Sequence, residues 1–320
     1  MFKKRLLITL ITAMTLVLAA CGQPPEEKLT NGFDTLLNAK QLESNSTISM
    51  NLEFEGLSPE EEQEMQMFLD ALKNAEINMH AVKDNEAEKA EATISLHAEM
   101  APLSFDIELP YHIDLKNQVM YLNADSLIEN FALMMPELAM FSDQIQGKLI
   151  KMDLNDPELA SDFDNLPEET MNKINEVFMA SIENLGEDDI KEEEDTLTIS
   201  FGNEEIKDIA KEVLTLINNE MEESDQISEE ELNEQLEIIF ETITVNDLTI
   251  ESTFDGDTIQ SQKINIDVTL EEAGETMKFN FVIDTTYDKI NEEVTFTIDP
   301  ESAESISIEE LLFFDEQLGY

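Results

Sequence analysis

The sequence predicts an α+β fold: one large curved antiparallel sheet, an unclosed half-barrel, with several helices packed on its concave face. Three observations lead there. Long segments alternate apolar and polar residues with period two, so each reads as a strand with one wet face and one covered face. These strands fall into two groups, an early one and a late one, with segments of helical spacing inserted between them. The inserted helices are the apolar elements available to cover the sheet's inner side.

The elements follow in order from the N-terminus. Residues 1–20 read as an export signal: Lys3, Lys4 and Arg5 form a positive start, and Leu6 to Leu18 is an apolar run too short to span a bilayer comfortably. It ends in Leu18-Ala19-Ala20-Cys21, and Cys21 is the chain's single cysteine. This pattern resembles the bacterial lipobox, in which cleavage leaves a diacylglycerol-modified cysteine as the first residue. Residues 21–28, with Pro24-Pro25, read as a tether, and 29–320 as a single domain.

Over 29–44, Leu29, Phe33, Leu36, Leu37 and Leu42 have helical spacing, and 46–54 alternates as a strand through Ile48, Met50, Leu52 and Phe54. Ser58-Pro59-Glu60-Glu61 is a helix start with a cap, a proline at the first position and the capping-box glutamate. Strands are expected at 76–82, 91–100 and 103–115. In the last of these Pro110 falls on the polar side, which suggests an edge or a bend. A strand at 118–123 leads into 127–141, where eleven of fifteen positions are Leu, Ile, Phe, Ala or Met. Apolar residues surround that helix axis, so it is buried on most sides or covers something greasy, and Pro136 interrupts it.

A strand at 147–154 and a helix at about 168–185 follow, then an acidic stretch at 186–195 read as a solvated connector. A strand at 196–201 precedes helices at about 204–222 and 229–240, the second capped by Ser228 with Glu231. The C-terminal part reads as a meander of strands at 243–254, 258–270, 276–287 and 293–299, with Asp255-Gly256-Asp257 as a hairpin turn. Ser307-Ile308-Glu309-Glu310 starts a last short helix.

Composition excludes several classes. Lys+Arg number 18 against 73 Asp+Glu, a net charge of −55, which repels nucleic acid phosphates. Removing residues 1–20 leaves 15 against 73, and a charge of that size must be spread over a hydrated surface. One cysteine excludes an internal disulfide and any multi-cysteine metal site. The nine glycines include no two closer than ten residues, so there is no glycine-rich phosphate loop.

No G-x-S-x-G elbow is present, and His97 and His112 fall on the polar side of their strands, where they are expected to face water. The EF-hand pattern fails, since Asp162 and Asp164 are followed by Leu166, and Asp255 and Asp257 by Ile259. No tryptophan is available for sugar stacking. The expectation is a non-enzymatic protein with no cofactor and no bound metal.

The lipobox, the N-terminal helix, the long alternating strands, Tyr121-Leu122-Asn123 before an apolar helix, the KLIKMD strand at 148–153 and the closing Ile306-Ser307-Ile308-Glu309-Glu310-Leu311 together resemble exported lipoproteins of the LolA and LppX/LprG-like type. That resemblance implies an unclosed β-barrel with a helical lid, holding lipid or acyl chains in its hollow. This chain is longer and far more acidic than typical members.

Methionine points the same way, being flexible and polarisable and suited to varied apolar ligands. The candidate pocket residues are Met65, Phe68, Leu127, Phe131, Met134, Met135, Leu138, Met140, Phe141, Met171 and Phe178, and the lipidation site is Cys21. The expected function is a membrane-anchored extracytoplasmic lipoprotein that binds or carries a lipid or amphiphile between sheet and helices. The alternative is an accessory surface lipoprotein with a filled core, acting through protein contacts.

Overall fold

The computed structural model describes residues 24–56, 66, 69, 73–100, 103–131, 142, 144–155, 168–186, 188–221, 226–272, 274–308 and 310. Cys21, most of the helix expected from Ser58 with Met65 and Phe68, and Met134, Met135, Leu138, Met140 and Phe141 lie outside the described residues.

The chain enters through α1 (Pro25–Leu37), which has proline at its first position and Glu26 and Glu27 in its first turn, where they complement the helix dipole. It starts inside the stretch expected as tether and stops at Leu37, short of the expected 44, because Leu42 is drawn into the sheet between Ile290 and Lys83. The strands are β1 (Gln41–Glu55), β2 (Glu76–Asp84), β3 (Lys89–Met100), β4 (Leu103–Asp114), β5 (Val119–Asn123) and β6 (Leu149–Asp153), with α2 (Ala124–Phe131) between β5 and β6. Then come α3 (Glu168–Glu183), β7 (Ile190–Glu193), β8 (Thr196–Phe201), α4 (Asn203–Glu220), α5 (Glu229–Thr242), β9 (Ile243–Asp255), β10 (Thr258–Glu272), β11 (Glu275–Ile290) and β12 (Ser305–Ser307).

These strands make one 12-stranded sheet in the order β12-β6-β5-β4-β3-β2-β1-β11-β10-β9-β8-β7. The sheet does not close, so the architecture is an α+β half-barrel. It consists of two antiparallel meanders, one running from β1 to β6 and the other from β7 to β11, joined where β1 pairs with β11. The exception to antiparallel pairing is β12, which adds parallel to β6.

Two apolar clusters hold helices on the inner face. The larger joins Leu29 of α1 and Ile182 of α3 to Leu197, Ile199, Phe201, Ile250, Phe254 and Ile259, with Ile206 and Ile209 of α4 packed against it. The smaller joins Ala124 of α2 to Ile145, Ile150 and Ile306, with Leu127 and Ile128 packed on it. A capping box between Ser228 and Glu231 starts α5, as its sequence requires.

Three sequence expectations change. The segment 293–299 is not a strand of the meander. After β11 the chain turns at Asn291 (φ 59°) and crosses the outer face of the sheet as a strap. The alternation of Val294, Phe296 and Ile298 is real, but it serves to seat the strap on the sheet, with Val294 buried. The acidic stretch 186–195 contains the edge strand β7, whose last three residues are exposed carboxylates and a lysine. Charge on an edge strand blocks unwanted pairing. Pro110 lies inside β4 opposite Thr93, one residue beyond the point where the pairing with β5 stops at Tyr111. Its missing N–H therefore costs no ladder bond on the β5 side.

The contact of α1 with the sheet is close. A Cβ on Gly32 would lie 2.8 Å from Cδ1 and Cγ1 of Ile259 and 3.0 Å from Cε1 of Phe254. Gly32→Val should therefore lower unfolding stability by about 2–3 kcal/mol through overpacking. Gly32→Ala should lose less, because the gain of about 1 kcal/mol in helix propensity offsets part of the clash. Urea titration of both variants checks the order.

Candidate functional site

The inner face is built on one row of residues. Register aligns Ile190, Ile199, Ile250, Ile264, Ile283, Ile48, Ile77, Leu96 and Ile107 across β7, β8, β9, β10, β11, β1, β2, β3 and β4. β-branched side chains pack well on a pleated surface, which is why isoleucine fills all of these positions but Leu96. The row is buried at Ile199 and Ile250, under the helices. From Ile264 to Ile107 it is half-buried. The neighbouring row runs Phe201, Leu248, Ile266, Phe281 and Met50, with Phe279 stacked on Phe281 at 6.3 Å between ring centres. The middle of the sheet thus carries an apolar band that is less covered than either end.

One step along the strands, the same face turns polar. Tyr287 Oη donates to Gln262 Oε1 (2.5 Å), Gln262 Nε2 donates to Ser252 Oγ (3.2 Å), and the hydroxyls of Ser46 and Thr285 lie 2.8 Å apart. Burial pushes the Tyr287 phenol up to about 12, so it stays a neutral donor at every physiological pH. This polar line borders the apolar band and satisfies itself.

The described candidate residues are divided between the two ends of the sheet order. Leu127 packs against the smaller cluster, and Phe131 is half-buried at the end of α2. Phe178 belongs to the larger cluster, edge-on to Phe33 at 5.7 Å and 6.1 Å from Phe201, while Met171 on the same helix is 45% exposed. Among the described residues two hollows lie between helices. One of about 350 Å³ between α3 and α4 mixes Val177, Leu185 and Ile209 with Asp189, Glu205, Asp208 and Glu212. One of about 360 Å³ between α4 and α5 is lined mainly by apolar side chains. No group of three His, Cys, Asp or Glu residues that could hold a metal ion occurs among the described residues, and no helix among them is long and apolar enough to cross a membrane.

The outer face holds a pair that sequence reasoning missed. Val82, Glu91, His112 and Tyr121 form one row across β2 to β5. The strap covers that row. Glu91 is 5% exposed, and its carboxylate accepts hydrogen bonds from Thr297 N (2.9 and 3.0 Å), Thr297 Oγ1 (2.6 Å) and Ile298 N (2.9 Å). His112, expected to face water, is 2% exposed. Its Nδ1 lies 3.6 Å from Glu91 Oε2, beyond hydrogen-bond length, neither ring nitrogen has a hydrogen-bond partner, and Phe296 packs edge-on at 5.4 Å. Glu91 was one carboxylate among 73 and carried no signal of its own. The usable signal was joint: two polar residues of one parity, and a third alternating segment that needed a surface to cover.

Comparison with protein-family models finds no match, and comparison with curated proteins finds none either. Among solved structures, the chain is similar to the crystal structure of a β-barrel-like protein of the domain of unknown function DUF1849 from Brucella abortus. The two are 8% identical, the match covers 78% of this chain and 100% of that one, and the TM-score is 0.23. A likeness of that size carries no argument about function.

Burial pushes the His112 imidazole below its ordinary value, with the Glu91 carboxylate and Asp114 pulling the other way and Lys89 adding to the depression. An unfolded histidine titrates near pH 6.5, so as pH falls through about 6.5 the unfolded chain takes up a proton that the folded chain refuses. Stability is then lost on acidification. His97 works with the opposite sign, since Asp106, 2.6 Å away, raises it, and its contribution is lost as pH rises. Urea unfolding should show His112→Gln less sensitive to acidification from pH 7.5 to 5.5 than the native chain, and His97→Gln more sensitive.

Replacing the partner of the strap is a separate test. Glu91→Ala should cost about 2–4 kcal/mol, because it leaves several donors without an acceptor. Faster hydrogen exchange at Thr297 and Ile298 should accompany it.

Proposed function

We infer that this protein is an exported lipoprotein, anchored at the extracytoplasmic membrane face through acylated Cys21, that binds a lipid or similar amphiphile on the inner face of its sheet. The observation that carries the reading is the half-buried apolar band of Ile264, Ile283, Ile48, Ile77 and the stacked Phe279 and Phe281, bounded by covered clusters at both ends. Core side chains bury themselves against one another. A row that is buried at one end and half-exposed along the rest, in the same sheet and on the same face, leaves surface that a flexible acyl chain is suited to cover. The lipobox supports the anchor.

Each methylene buried contributes about 0.8 kcal/mol, so shortening an acyl probe by two carbons should weaken binding by about tenfold. Fluorescent fatty acid titration checks that slope, and native mass spectrometry of gently purified protein checks for a hydrophobic adduct. Phe281→Lys should abolish both signals. A protein that carries no adduct and ignores acyl probes of every length would end the reading. Cys21→Ala should move the protein from the membrane fraction to the soluble one without changing acyl binding.

A further inference from the structure

The strap over the outer face joins no ladder between Asn291 and Glu304. Among the described residues, the hydrogen bonds that tie 292–303 to the sheet all end on one side chain. Thr297 N, Thr297 Oγ1 and Ile298 N donate to the Glu91 carboxylate, and the other bonds of this stretch stay within it. The rest of its hold is apolar, with Val294 buried and Phe296 and Ile298 half-buried. The strap runs on into Glu304, whose carbonyl accepts from Leu149 N (2.9 Å), and into β12, whose Ile306 joins Ala124 and Ile150 in the smaller apolar cluster. One carboxylate thus fastens the chain that finishes this edge of the sheet.

His112 makes the fastening sensitive to protons. Its buried ring lies beside Glu91 and against Phe296. The groups around it are Glu91 and Lys89 of β3, Asp114 of β4, Tyr121 of β5 and, at the end of the row, Lys151 of β6. β2 presents the apolar Val82, and the strap's carboxylates Glu293 and Asp299 lie exposed, three residues to either side of Phe296. An imidazolium in this slot would carry two N–H donors. Nδ1 is 3.6 Å from Glu91 Oε2, which already accepts from Thr297 N and Ile298 N, and Nε2 meets no acceptor. Lifting the strap lets water reach the ring and leaves Glu91 free to pair with it. The open form therefore binds a proton that the closed form refuses, and a proton that prefers one form shifts the population toward it. His80 and His97 are half-exposed beside carboxylates of their own, so neither is tied to the strap in this way.

We propose that Glu91 and His112 form an acid-released clasp, which holds the strap and β12 on the sheet near neutral pH and lets go as His112 takes a proton.

Amide hydrogen exchange of the full mature chain at pH 7.5 and 5.5, corrected for the intrinsic pH dependence of exchange, tests the clasp. One proton taken up below about pH 6.5 lets an opening equilibrium rise about tenfold over that interval. Exchange at Thr297, Ile298 and Leu149 should rise by about that factor while amides of the β1–β11 ladder stay protected. His112→Gln should abolish the rise, and His97→Gln should leave it in place. Glu91→Gln should speed exchange at Thr297 and Ile298 at both pH values. NMR titration of the native chain needs no variant: the His112 ring should change protonation in step with the loss of strap protection, separately from His80 and His97.

An equal rise along the β1–β11 ladder would mean global unfolding and would overturn the proposal. So would unchanged protection at any of the three amides, or an acid response that survives His112→Gln. The clasp stands apart from the lipid reading, and Phe281→Lys on the inner face should leave the exchange response unchanged.

Discussion

The pairing of β1 with β11 is the constraint on which the rest of the sheet depends. Each meander pairs strands that follow one another along the chain, and this one seam makes the two into a continuous surface. Its register puts Ile48 beside Ile283 and Met50 beside Phe281, so the apolar inner faces of both meanders coincide. A slip by one residue would send every inner side chain of one half to the outside. Several features pin the register. The ladder shifts between Glu43 and Ser44, the Ser46 and Thr285 hydroxyls meet across the seam, and the chain leaves it through Asn291, whose side chain accepts from Lys40 N while its own N–H donates to Gln41 O.

The cover over that surface is uneven, and the unevenness has a physical reason. Helices reach the sheet where short strands and connections place them: α1, α3 and α4 over β8 to β10, and α2 over β4 to β6. The long central strands carry their alternation past the reach of either cluster. Among the described residues the carboxylates other than Glu91 stay at least partly exposed, as the cost of burying an unpaired carboxylate demands. Glu91 departs from that pattern because the strap supplies donors enough to replace water.

Much of this fold was legible in the sequence. Period-two alternation located β3, β4, β9, β10 and β11, and the capping box at Ser228 located α5. Alternation does not say which surface it faces, however. Val294, Phe296 and Ile298 have the pattern of a strand but pack on the outside of the sheet, and no local signal separates the two cases. His112 was misplaced for the same reason, since a polar-side residue is wet only until another segment crosses it. β7 was hidden by its charge, because an edge strand needs few apolar residues. For the site, residues chosen from helices gave two separate clusters, whereas the nine-strand isoleucine row is a property of register and becomes visible only when the pairing is known.

The seam also sets an order of events during synthesis. Glu55 of β1 leaves the ribosome 223 residues before Lys278, the residue it meets across the seam. Through that interval the first meander has an unmatched edge and a greasy side with no second half beside it. Contacts this distant in sequence form slowly, and an unpaired strand edge invites aggregation. With 73 acidic residues against 18 basic ones, such half-made copies repel one another, so the same carboxylates that hydrate the finished surface oppose association of the incomplete one.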